Sequence, residues 1–377
     1  VEVNSLQAYI ADIVSPILES SPLARRLHES LESPGRLARQ GEVIIHPEQA
    51  EVFELLAREG ERIFYEGELG RELVAACLEQ GGCLSTSDLE HYEVIRRTPL
   101  FLEYHGSRLY TNPAPSLGGS LIAFTLSLLK PESIGNLVPG SGRYLKTLAS
   151  AMRLTQHLRK EEGVDCNLDE PTSRKILGEE YLEAYRRSLK NHHPFPRGTT
   201  QISVADSMGN MASMTLSNGE GAGYVIPGTG IMLNNMLGEE DINPHGFHRW
   251  PEDRRIASMM SPTLVFTGDG RDIVTGSGGS NRIRSAILQV LVNLIDFKMD
   301  VERAVEEPRI HFESGVLNLE NECAGATDSM LRETFDDLRY WPGKNLFFGG
   351  AHSVVLDPSG SLTGRGDSRR GGASRAV

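Results

Sequence analysis

The sequence predicts an α/β protein with helices concentrated in its first half and hairpins in its second. Apolar residues recur at helical spacing over much of residues 47–189. Residues 191–198 (NHHPFPRG) hold two prolines and a glycine and interrupt that pattern as a loop. Beyond them, short alternating runs separated by turn residues are typical of hairpins. A chain of 377 residues is long enough for one large two-part domain or for two domains.

The first helices are predicted from their ends and from apolar spacing. Pro47 fits the first turn of a helix whose apolar positions continue to Ile63. A second helix is expected over Arg71–Gln80, because two glycines follow it. Ser87 and Glu90 form a capping-box pattern, which predicts a short helix ending at the next residue.

Six strands are expected in pairs separated by turn residues. The pairs are Leu100–Tyr104 with Ser107–Tyr110, Ile202–Asp206 with Met211–Leu216, and Leu264–Thr267 with Asp272–Thr275. A long helix should follow the last pair, because apolar residues from Ile283 to Leu294 share one face. Another strand is expected at Ser353–Leu356, and the basic, glycine-rich tail Gly364–Val377 is expected to be frayed.

The bulk composition excludes several classes of partner. The net charge of −13 argues against nucleic acid, because phosphate binding needs clustered Lys and Arg. The longest apolar run, Ser120–Leu129, is about half the length that crosses a bilayer, so no membrane partner is expected. The cysteines at 77, 83, 166 and 323 lack zinc-ligand spacing and are expected to be free thiols. No motif requires a metal or a cofactor.

Gly198-Thr199-Thr200 joins the predicted loop to the first strand of the second half. A Thr hydroxyl here can attack the preceding carbonyl, and an N→O acyl shift followed by hydrolysis then releases a new N-terminal Thr. That residue carries a nucleophile and a base, since an α-amino group has a pKa of about 8. Taken alone, the tripeptide more often marks a plain loop-to-strand junction.

Residues 276–282 (GSGGSNR) follow a predicted strand and open the long helix. Glycines permit close approach of the backbone, and N–H groups at a helix N-terminus favour a phosphate, a carboxylate or an oxyanion. The spacing matches neither a P-loop nor a dinucleotide-binding pattern. A tight strand-to-helix turn is the other interpretation.

Two further segments carry polar groups suited to an amino-acid substrate. Residues 231–241 end in two amides and three carboxylates, which suit an amino group. Residues 257–263 (ASMMSPT) hold hydroxyls suited to a carboxylate. Each segment is also compatible with an ordinary loop.

These segments, in this order, resemble γ-glutamyltranspeptidases, which are N-terminal nucleophile hydrolases. The family's small subunit begins Thr-Thr-His-x-Ser-Val-x-Asp, which TTQISVAD (199–206) matches. Later family segments are similar to PGTGIMLNN (227–235), SMMSPT (258–263), TGSGGSNRI (275–283) and AVEEPRIH (304–311), and large-subunit segments to FYEGELG (64–70), DLEHYEV (88–94) and NPAPSLGG (112–119). The resemblance implies a four-layer αββα sandwich, with residues 1–198 as the C-terminal portion of the large subunit and 199–377 as the small subunit of one intertwined domain.

The resemblance implies a role for each matching residue. Thr199 is expected to be the nucleophile, freed by cleavage after Gly198. Gly278 and Gly279 are expected to supply the N–H groups that hold the oxyanion, with their register open by one residue. Ser217 is expected to hydrogen-bond the nucleophile. The substrate-binding residues implied are Asn218 and Ser258, beside Met259, for an α-carboxylate, and Glu239 for an α-amino group.

The resemblance also implies the reaction and the partners. A self-cleaving zymogen would become a γ-glutamyltransferase or glutathione-hydrolase-like amidohydrolase, with a place in glutathione metabolism. Its small-molecule substrate would be a γ-glutamyl or related amide, and water or an amine would resolve the acyl-enzyme. No cofactor is implied. The two portions would associate with each other, and a homodimer is left open.

The chain departs from the family pattern at several positions. Gln201 stands where the family has His, and Met236 where it often has Gln or Glu. The stretch from Glu239 to Ser258 is short, as in members without a lid loop. Val1 matches the middle of a typical large subunit, so the part with a carboxylate-binding arginine is expected to lie outside this chain. The compartment is open: cytoplasmic, or periplasmic or secreted if a signal peptide precedes residue 1.

Two other functions stay open at this stage. One is a non-catalytic, unprocessed relative that acts as a binding or assembly partner, which the altered Gln201 and Met236 favour and the intact Gly198-Thr199 opposes. The other is a phosphate-dependent enzyme that uses residues 276–282 as an anion cradle, although no acidic metal site or catalytic lysine supports it.

Overall fold

A computed structural model describes residues 1–161, 164, 168–185, 199–239, 242–243, 246, 249–327 and 329–376. The chain divides into two compact units, Val1–Arg97 with Asn218–Asn235, and Thr98–Ser217 with Met236–Val377. The predicted division between residues 198 and 199 falls inside the second unit.

The described residues form the helices and strands that the sequence predicts together with others that it does not. The helices are α1 (Ser5–Ile13), α2 (Ser15–Leu18), α3 (Pro22–Leu27), α4 (Pro47–Glu59), α5 (Arg62–Tyr65), α6 (Glu68–Glu79), α7 (Thr86–Glu90), α8 (Leu117–Leu129), α9 (Gly142–Glu161), α10 (Glu170–Ile176), α11 (Glu179–Tyr185), α12 (Arg282–Ile295), α13 (Val301–Glu306) and α14 (Ser329–Thr334). The strands are β1 (Leu100–Tyr104), β2 (Ser107–Thr111), β3 (Thr200–Ala205), β4 (Met211–Leu216), β5 (Val225–Ile226), β6 (Ile231–Met232), β7 (Thr263–Phe266), β8 (Asp272–Gly278), β9 (Ile310–Glu313), β10 (Val316–Glu320), β11 (Asp337–Trp341), β12 (Gly350–Leu356) and β13 (Leu362–Arg365).

The first unit consists of α1–α7 and the short antiparallel pair β5–β6. Helix α4 begins with Pro47 in its first turn, as predicted, and ends at Gly60, whose φ of 76° suits a residue without a side chain. The capping box of α7 differs from the prediction. Ser85 and Asp88 form it, because the chain enters the helix two residues earlier than the Ser87/Glu90 pattern indicates.

The second unit is built around a six-stranded antiparallel sheet with strand order β1-β2-β7-β8-β12-β13. Helices α8 and α12 are buried along their whole length, because apolar side chains cover most of their surface. Ile273 of β8 shares one apolar core with Ile287 of α12, so the helices cover this face of the sheet. A three-stranded sheet, β11-β10-β9, packs against α9 and α12 through β9.

The hairpin β3–β4 packs on β8 and β12 as a second sheet. Gly276 lies an odd number of residues from Ile273 along β8, so it faces the hairpin while Ile273 faces the helices. In a strand packed on one face the apolar side chains usually point inward and the polar ones outward, and this hairpin shows the reverse. Its polar side chains face inward (Gln201, Ser203, Ser213, Thr215), while its outward apolar side chains are 43–52% exposed (Ile202, Val204, Met214, Leu216).

The C-terminal tail is ordered by buried ion pairs, so the prediction that it is frayed is wrong. Asp367 lies 2.6 Å from Arg309, and Arg369 lies 2.6 Å from Glu320, with at most 2% of any of these side chains exposed. Paired buried charges of this kind hold a segment in place, because separating them would leave unpaired ions in the interior.

No described helix combines the length and the apolar character needed to cross a membrane.

Candidate active site

Thr199 and Ser217 lie side by side at the open end of the hairpin. Thr200 and Leu216 form the last pair of the β3–β4 ladder, so the residues beyond them are neighbours across it. The Thr199 hydroxyl donates a hydrogen bond of 3.3 Å to Ser217 Oγ. Thr199 is half-buried, so the residue stays partly open to solvent. Gly198, the predicted cleavage partner, lies outside the described residues.

Glycines of β8 allow the first strand of the hairpin to approach closely. A Cβ at Gly278 would lie 2.0 Å from the Thr199 carbonyl oxygen, and one at Gly276 would lie 2.1 Å from Gln201 Oε1. At Gly278 the near atom belongs to the backbone, so only glycine permits this packing, whereas at Gly276 a side chain would force the end of the Gln201 side chain to move. The two segments that carry the resemblance most strongly, TTQISVAD and TGSGGSNRI, therefore form one structural unit around Thr199.

The turn from β8 into α12 is built on Gly279 and Ser280. Strand β8 continues through Gly278, which pairs with Gly350 of β12. Gly279 has φ +128° and Ser280 has φ +51°, and α12 begins two residues later at Arg282. The predicted glycine turn therefore exists, and its two positive-φ residues follow the end of the strand.

A buried polar network lies behind this turn. Asn281 Nδ2 donates to Glu313 Oε1 at 2.5 Å, and Asn281 Oδ1 accepts from Arg159 at 2.7 Å. His311 lies 3.1 Å from the second Glu313 oxygen through Nε2 and 2.7 Å from Ser285 Oγ through Nδ1. These side chains are at most 5% exposed, so they fix the start of α12 from inside the protein.

The charge states in this network follow from their surroundings. Burial opposes ionisation of Glu313, but the hydrogen bond from His311 and the nearby arginines lower its pKa to about 2. Burial lowers the pKa of His311 to about 4, against the opposing effect of Glu313. At neutral pH Glu313 is therefore an anion and His311 is neutral. Because a carboxylate only accepts, His311 carries its proton on Nε2 and accepts from Ser285 at Nδ1.

The predicted carboxylate-binding segment is packed against the start of α8. The Ser258 carbonyl accepts from the Leu117 N–H at 2.8 Å, and Ser258 Oγ accepts from the Met260 N–H at 3.0 Å. A Cβ at Gly118 would lie 2.1 Å from the Met259 carbonyl oxygen. Residues 112–119 (NPAPSLGG) and 258–263 (SMMSPT) thus also pack directly against each other. Met259 is part of the main apolar core and is 4% exposed, so its side chain is not available to a ligand at the surface.

The two remaining predicted substrate ligands lie on different parts of the fold. Glu239 follows the short helical turn Met236–Gly238 in the second unit and is 6% exposed. Asn218 belongs to the first unit, where it is exposed and lies at the rim of a cavity of about 420 Å³. Apolar side chains such as Val3, Leu18 and Met232 line that cavity.

Three residues that support the site were not predicted from the sequence. Gln201 is 6% exposed and joins the two strands of the hairpin, donating to Ser213 at 2.9 Å and accepting from Thr215 at 2.5 Å. Strand alternation places it on the same face as Ser203, but the sequence did not show that this polar face is the buried one. Asn281 and Glu313 meet only because separate elements bring them together, so no local pattern indicates their contact.

Metal and disulfide chemistry find no support in the described part of the chain. No group of three or more His, Cys, Asp or Glu side chains there is arranged to hold a metal ion. Cys77, Cys83 and Cys323 are free thiols, as predicted, while Cys166 lies outside the described residues. Burial raises the pKa of the Cys323 thiol to about 12, so it is unreactive near neutral pH.

Comparison with solved structures identifies the fold. The chain is similar to a cephalosporin acylase from Bacillus halodurans, with a TM-score of 0.81 and 21% identity over 99% of this chain and 71% of that one. This similarity confirms the predicted α/β sandwich fold.

Comparison with characterised sequences and families identifies the relatives. The chain is 29% identical to the acylase ACY 1 proenzyme of Pseudomonas sp. (strain SE83), over 91% of this chain and 63% of that protein. It is 26% identical to the glutathione hydrolase proenzyme of Bacillus subtilis (strain 168), over 99% of this chain and 68% of that protein. The chain thus spans less than two thirds of the acylase precursor. The gamma-glutamyltranspeptidase family model matches residues 2–377, and the chain therefore belongs to the gamma-glutamyltranspeptidase family.

Proposed function

We propose that this chain is a self-processing amide hydrolase or acyltransferase with Thr199 as its nucleophile. The observation that carries the proposal is the position of Thr199, whose hydroxyl contacts Ser217 and whose backbone packs on Gly278 at the start of the glycine turn. A nucleophile, a neighbouring hydroxyl and a turn of backbone N–H groups are the parts that acyl transfer requires.

Activation begins with the peptide bond before Thr199. The Thr199 hydroxyl oxygen attacks the Gly198 carbonyl carbon, and the C–N bond breaks as the acyl group moves to oxygen. Water then hydrolyses the ester, which leaves a carboxylate on Gly198 and a free amino group on Thr199. Only after this step does Thr199 carry its own base, so the intact chain would be a zymogen.

The same atoms then act on the substrate. The Thr199 α-amine accepts the hydroxyl proton while the oxygen attacks the substrate amide, and the N–H groups of residues 278–280 stabilise the oxyanion. The proton passes to the leaving amine as the amide C–N bond breaks, which gives an ester on Thr199. Water or a second amine attacks this ester and releases the acyl group. Because a free α-amine has a pKa of about 8, kcat/KM should rise with pH to a plateau above that value.

We infer that the acyl group is γ-glutamyl or a closely related chain. Glu239 is proposed to bind the substrate α-ammonium, and Asn218 and Ser258 with the Met259 backbone to bind its α-carboxylate. Relatives named as glutathione hydrolase and as acylase support an amide substrate of this general kind. The pair γ-glutamyl-p-nitroanilide and glutaryl-p-nitroanilide tests Glu239, because only the first has an α-ammonium group. Wild type should prefer the first at least tenfold in kcat/KM, and Glu239→Gln should remove most of that preference.

We also infer that residues 1–198 and 199–377 stay associated after cleavage. Strand β2 from the first portion pairs with β7 from the second, so separation would open the six-stranded sheet. Native mass spectrometry of the processed protein should show both pieces in one particle, and the same spectrum reports whether that particle is a homodimer. Two separate species would contradict the inference.

Intact mass measurement tests the nucleophile directly. Wild type should give two pieces divided between residues 198 and 199, while Thr199→Ala should stay whole. Thr200→Ala is the matched control, since Thr200 is the adjacent exposed hydroxyl and should still allow cleavage. A wild-type chain that stays whole and hydrolyses no amide would overturn the proposal in favour of a non-catalytic binding partner.

A further inference from the structure

Position 201 departs from the His of the family pattern, and the structure buries the Gln that stands there. Gln201 is 6% exposed and lies on β3, two residues after Thr199. A Cβ at Gly276 would lie 2.2 Å from Gln201 Cδ, and a Cβ at Gly278 would lie 3.4 Å from Thr199 Cβ. The two residues thus rest on alternate glycines of β8. A displacement of Gln201 would move Thr199 with it, because one short stretch of backbone joins them.

The nitrogen end of the Gln201 amide meets two hydroxyls that can only accept. Nε2 lies 3.1 Å from Ser203 Oγ and 2.9 Å from Ser213 Oγ, and these serines are directly opposed in the hairpin. Ser203 donates its proton to the His352 carbonyl at 2.8 Å, and Ser213 donates its proton to the Thr275 carbonyl at 2.9 Å. Because a hydroxyl has one proton, both serines must accept from Nε2.

The oxygen end of the same amide meets a donor. Thr215 lies directly opposite Gln201 in the hairpin, and its hydroxyl donates to Gln201 Oε1 at 2.5 Å. The surroundings therefore require two N–H donors on one atom and an acceptor on the other. A carboxamide supplies this combination, whereas a neutral imidazole has a single N–H and a carboxylate has no donor.

We propose that Gln201 is a positioning residue for Thr199. Its amide orients the hydroxyls of Ser203 and Ser213 toward β12 and β8, and those hydrogen bonds hold β3 where it places the Thr199 hydroxyl. The proposal rests on the proposed function of Thr199 and adds a residue that acts through Thr199 without contacting substrate. The Gln at this position is then a working part of the site and not a mark of a non-catalytic relative.

Two substitutions separate the hydrogen bonds of the amide from its volume. Gln201→Met has a similar length and removes both polar ends. Gln201→Glu keeps the shape and still accepts from Thr215, but it turns an acceptor toward two serines whose protons are already used. The readout is the rate of cleavage between residues 198 and 199 after cell-free synthesis of the full chain, followed by intact mass. Misplacing reacting atoms by about 1 Å slows a reaction by about 10²-fold, so both variants should cleave about tenfold to a hundredfold more slowly.

Gln289 is the matched control, because it is a buried glutamine in a different element. It is 4% exposed on α12, donates to the Ser285 carbonyl at 2.7 Å and accepts from the Ile310 N–H at 2.9 Å. Gln289→Met should reduce the free energy of unfolding, as Gln201→Met does, but its folded fraction should cleave at the wild-type rate. Equal cleavage rates for the two Met variants, whether both fast or both slow, would overturn the proposal.

Steady-state kinetics on the processed enzyme separate positioning from substrate binding. Gln201→Met should lower kcat with KM unchanged, because a buried side chain that acts through Thr199 makes no contact with substrate. A raised KM with an unchanged kcat would contradict the positioning role.

The pH dependence of Gln201→Glu provides a readout that a general loss of folding would not give. Burial raises the pKa of a carboxyl group, and the protonated form supplies one O–H donor. The cleavage rate of Gln201→Glu relative to wild type should therefore rise as the pH is lowered from about 8 to about 6, while the ratio for Gln201→Met stays constant. A constant ratio for Gln201→Glu would contradict the proposed arrangement of protons.

The other titratable groups at this interface are common to wild type and variants, so their effects cancel in the ratio. Residues 211–216 and 273–278 contain none. Strand β12 contributes His352, and the charged groups that act on its ring are Arg309, Asp367 and Arg370.

The outcomes also separate this role from the proposed function. A wild-type chain that never divides would overturn the proposed function and this role with it. A wild type that divides beside an equally fast Gln201→Met would overturn the role of Gln201 alone.

Discussion

The side chain of Gln201 occupies the space that any side chain at position 276 would need. A Cβ there would lie 2.1 Å from Gln201 Oε1 and 2.5 Å from its Nε2. The amide in turn joins both strands of the hairpin through Ser213 and Thr215. The position of Thr199, two residues before Gln201, thus depends on a glycine in another strand.

Gly276→Ala should therefore destabilise the protein and slow its processing. Overpacking at a tight contact costs about 1–3 kcal/mol, and here it would push Gln201 and the hairpin away from β8. Urea unfolding and the rate of cleavage before Thr199 measure the two effects. Adding Gln201→Ala to Gly276→Ala should recover part of the stability, because the clash disappears. A double variant less stable than both single variants would contradict this account.

Ser217→Ala should lower the turnover rate with little effect on substrate binding. The hydrogen bond from Thr199 would orient the proposed nucleophile, and a neutral hydrogen bond contributes about 1 kcal/mol, or roughly fivefold in rate. Steady-state kinetics on the processed enzyme give kcat and KM separately. Ser207→Ala, at the exposed turn of the same hairpin, is the control and should leave both unchanged. An increase in KM alone would mean that Ser217 contacts substrate instead.

The stability of the protein should fall between pH 6.5 and pH 4 in part because of His311. Burial lowers its pKa from 6.5 to about 4, so in this range the unfolded chain binds a proton that the folded chain does not. Stability is therefore present above pH 6.5 and is lost as the pH falls, by roughly 3 kcal/mol for this residue.

Urea unfolding of wild type and His311→Gln between pH 7.5 and pH 4.5 measures this contribution. The variant should show a weaker loss of stability on acidification, since its amide keeps a donor for Glu313 without titrating. His91→Gln is the control, because that ring is exposed, and it should show the wild-type pH dependence. Equal slopes for wild type and His311→Gln would show that His311 is not buried as a neutral ring.

The C-terminal segment should be essential for stability despite its composition. Arg369 forms a 2.6 Å pair with Glu320, and neither side chain is exposed. Removing one partner of a buried pair costs about 3–5 kcal/mol, because the other charge is left without compensation. Arg369→Met should thus lower the thermal midpoint strongly, whereas Arg375→Met, at an exposed position, should leave it unchanged. Similar midpoints for the two variants would show that the tail is held by other contacts.

The sequence predicted most elements, because local signals define them. Strand β1 matches its predicted bounds, β2 extends one residue further, and α12 extends the predicted apolar stretch by one residue at each end. The hairpins β3–β4 and β7–β8 were found from alternation and turn residues. Their alternation did not show that the polar face of β3–β4 is the buried one, since a polar face is normally assigned to solvent.

The tail and the network behind the turn could not be predicted by the same reasoning. Gly364–Val377 has the composition of a disordered terminus, but Asp367 meets Arg309 from a segment 58 residues earlier, and that pairing is a tertiary event. Asn281, His311 and Glu313 likewise gain their partners only on folding. Among the predicted site residues, sequence order did indicate that Thr199 and Ser217 would meet, because they flank one hairpin.

The reversed alternation of the hairpin has a mechanical consequence. Two apolar surfaces can shift against each other at little cost in free energy, because each apolar contact that is lost is replaced by another. Here Ser203 donates to the His352 carbonyl at 2.8 Å and Ser213 to the Thr275 carbonyl at 2.9 Å, so a shift of one residue would break directional bonds across the interface. These hydrogen bonds thus fix the position of the hairpin on the six-stranded sheet. A shearing motion that would carry Thr199 past the neighbouring glycine turn is resisted, and the alignment of these two parts of the proposed site should persist as the temperature rises.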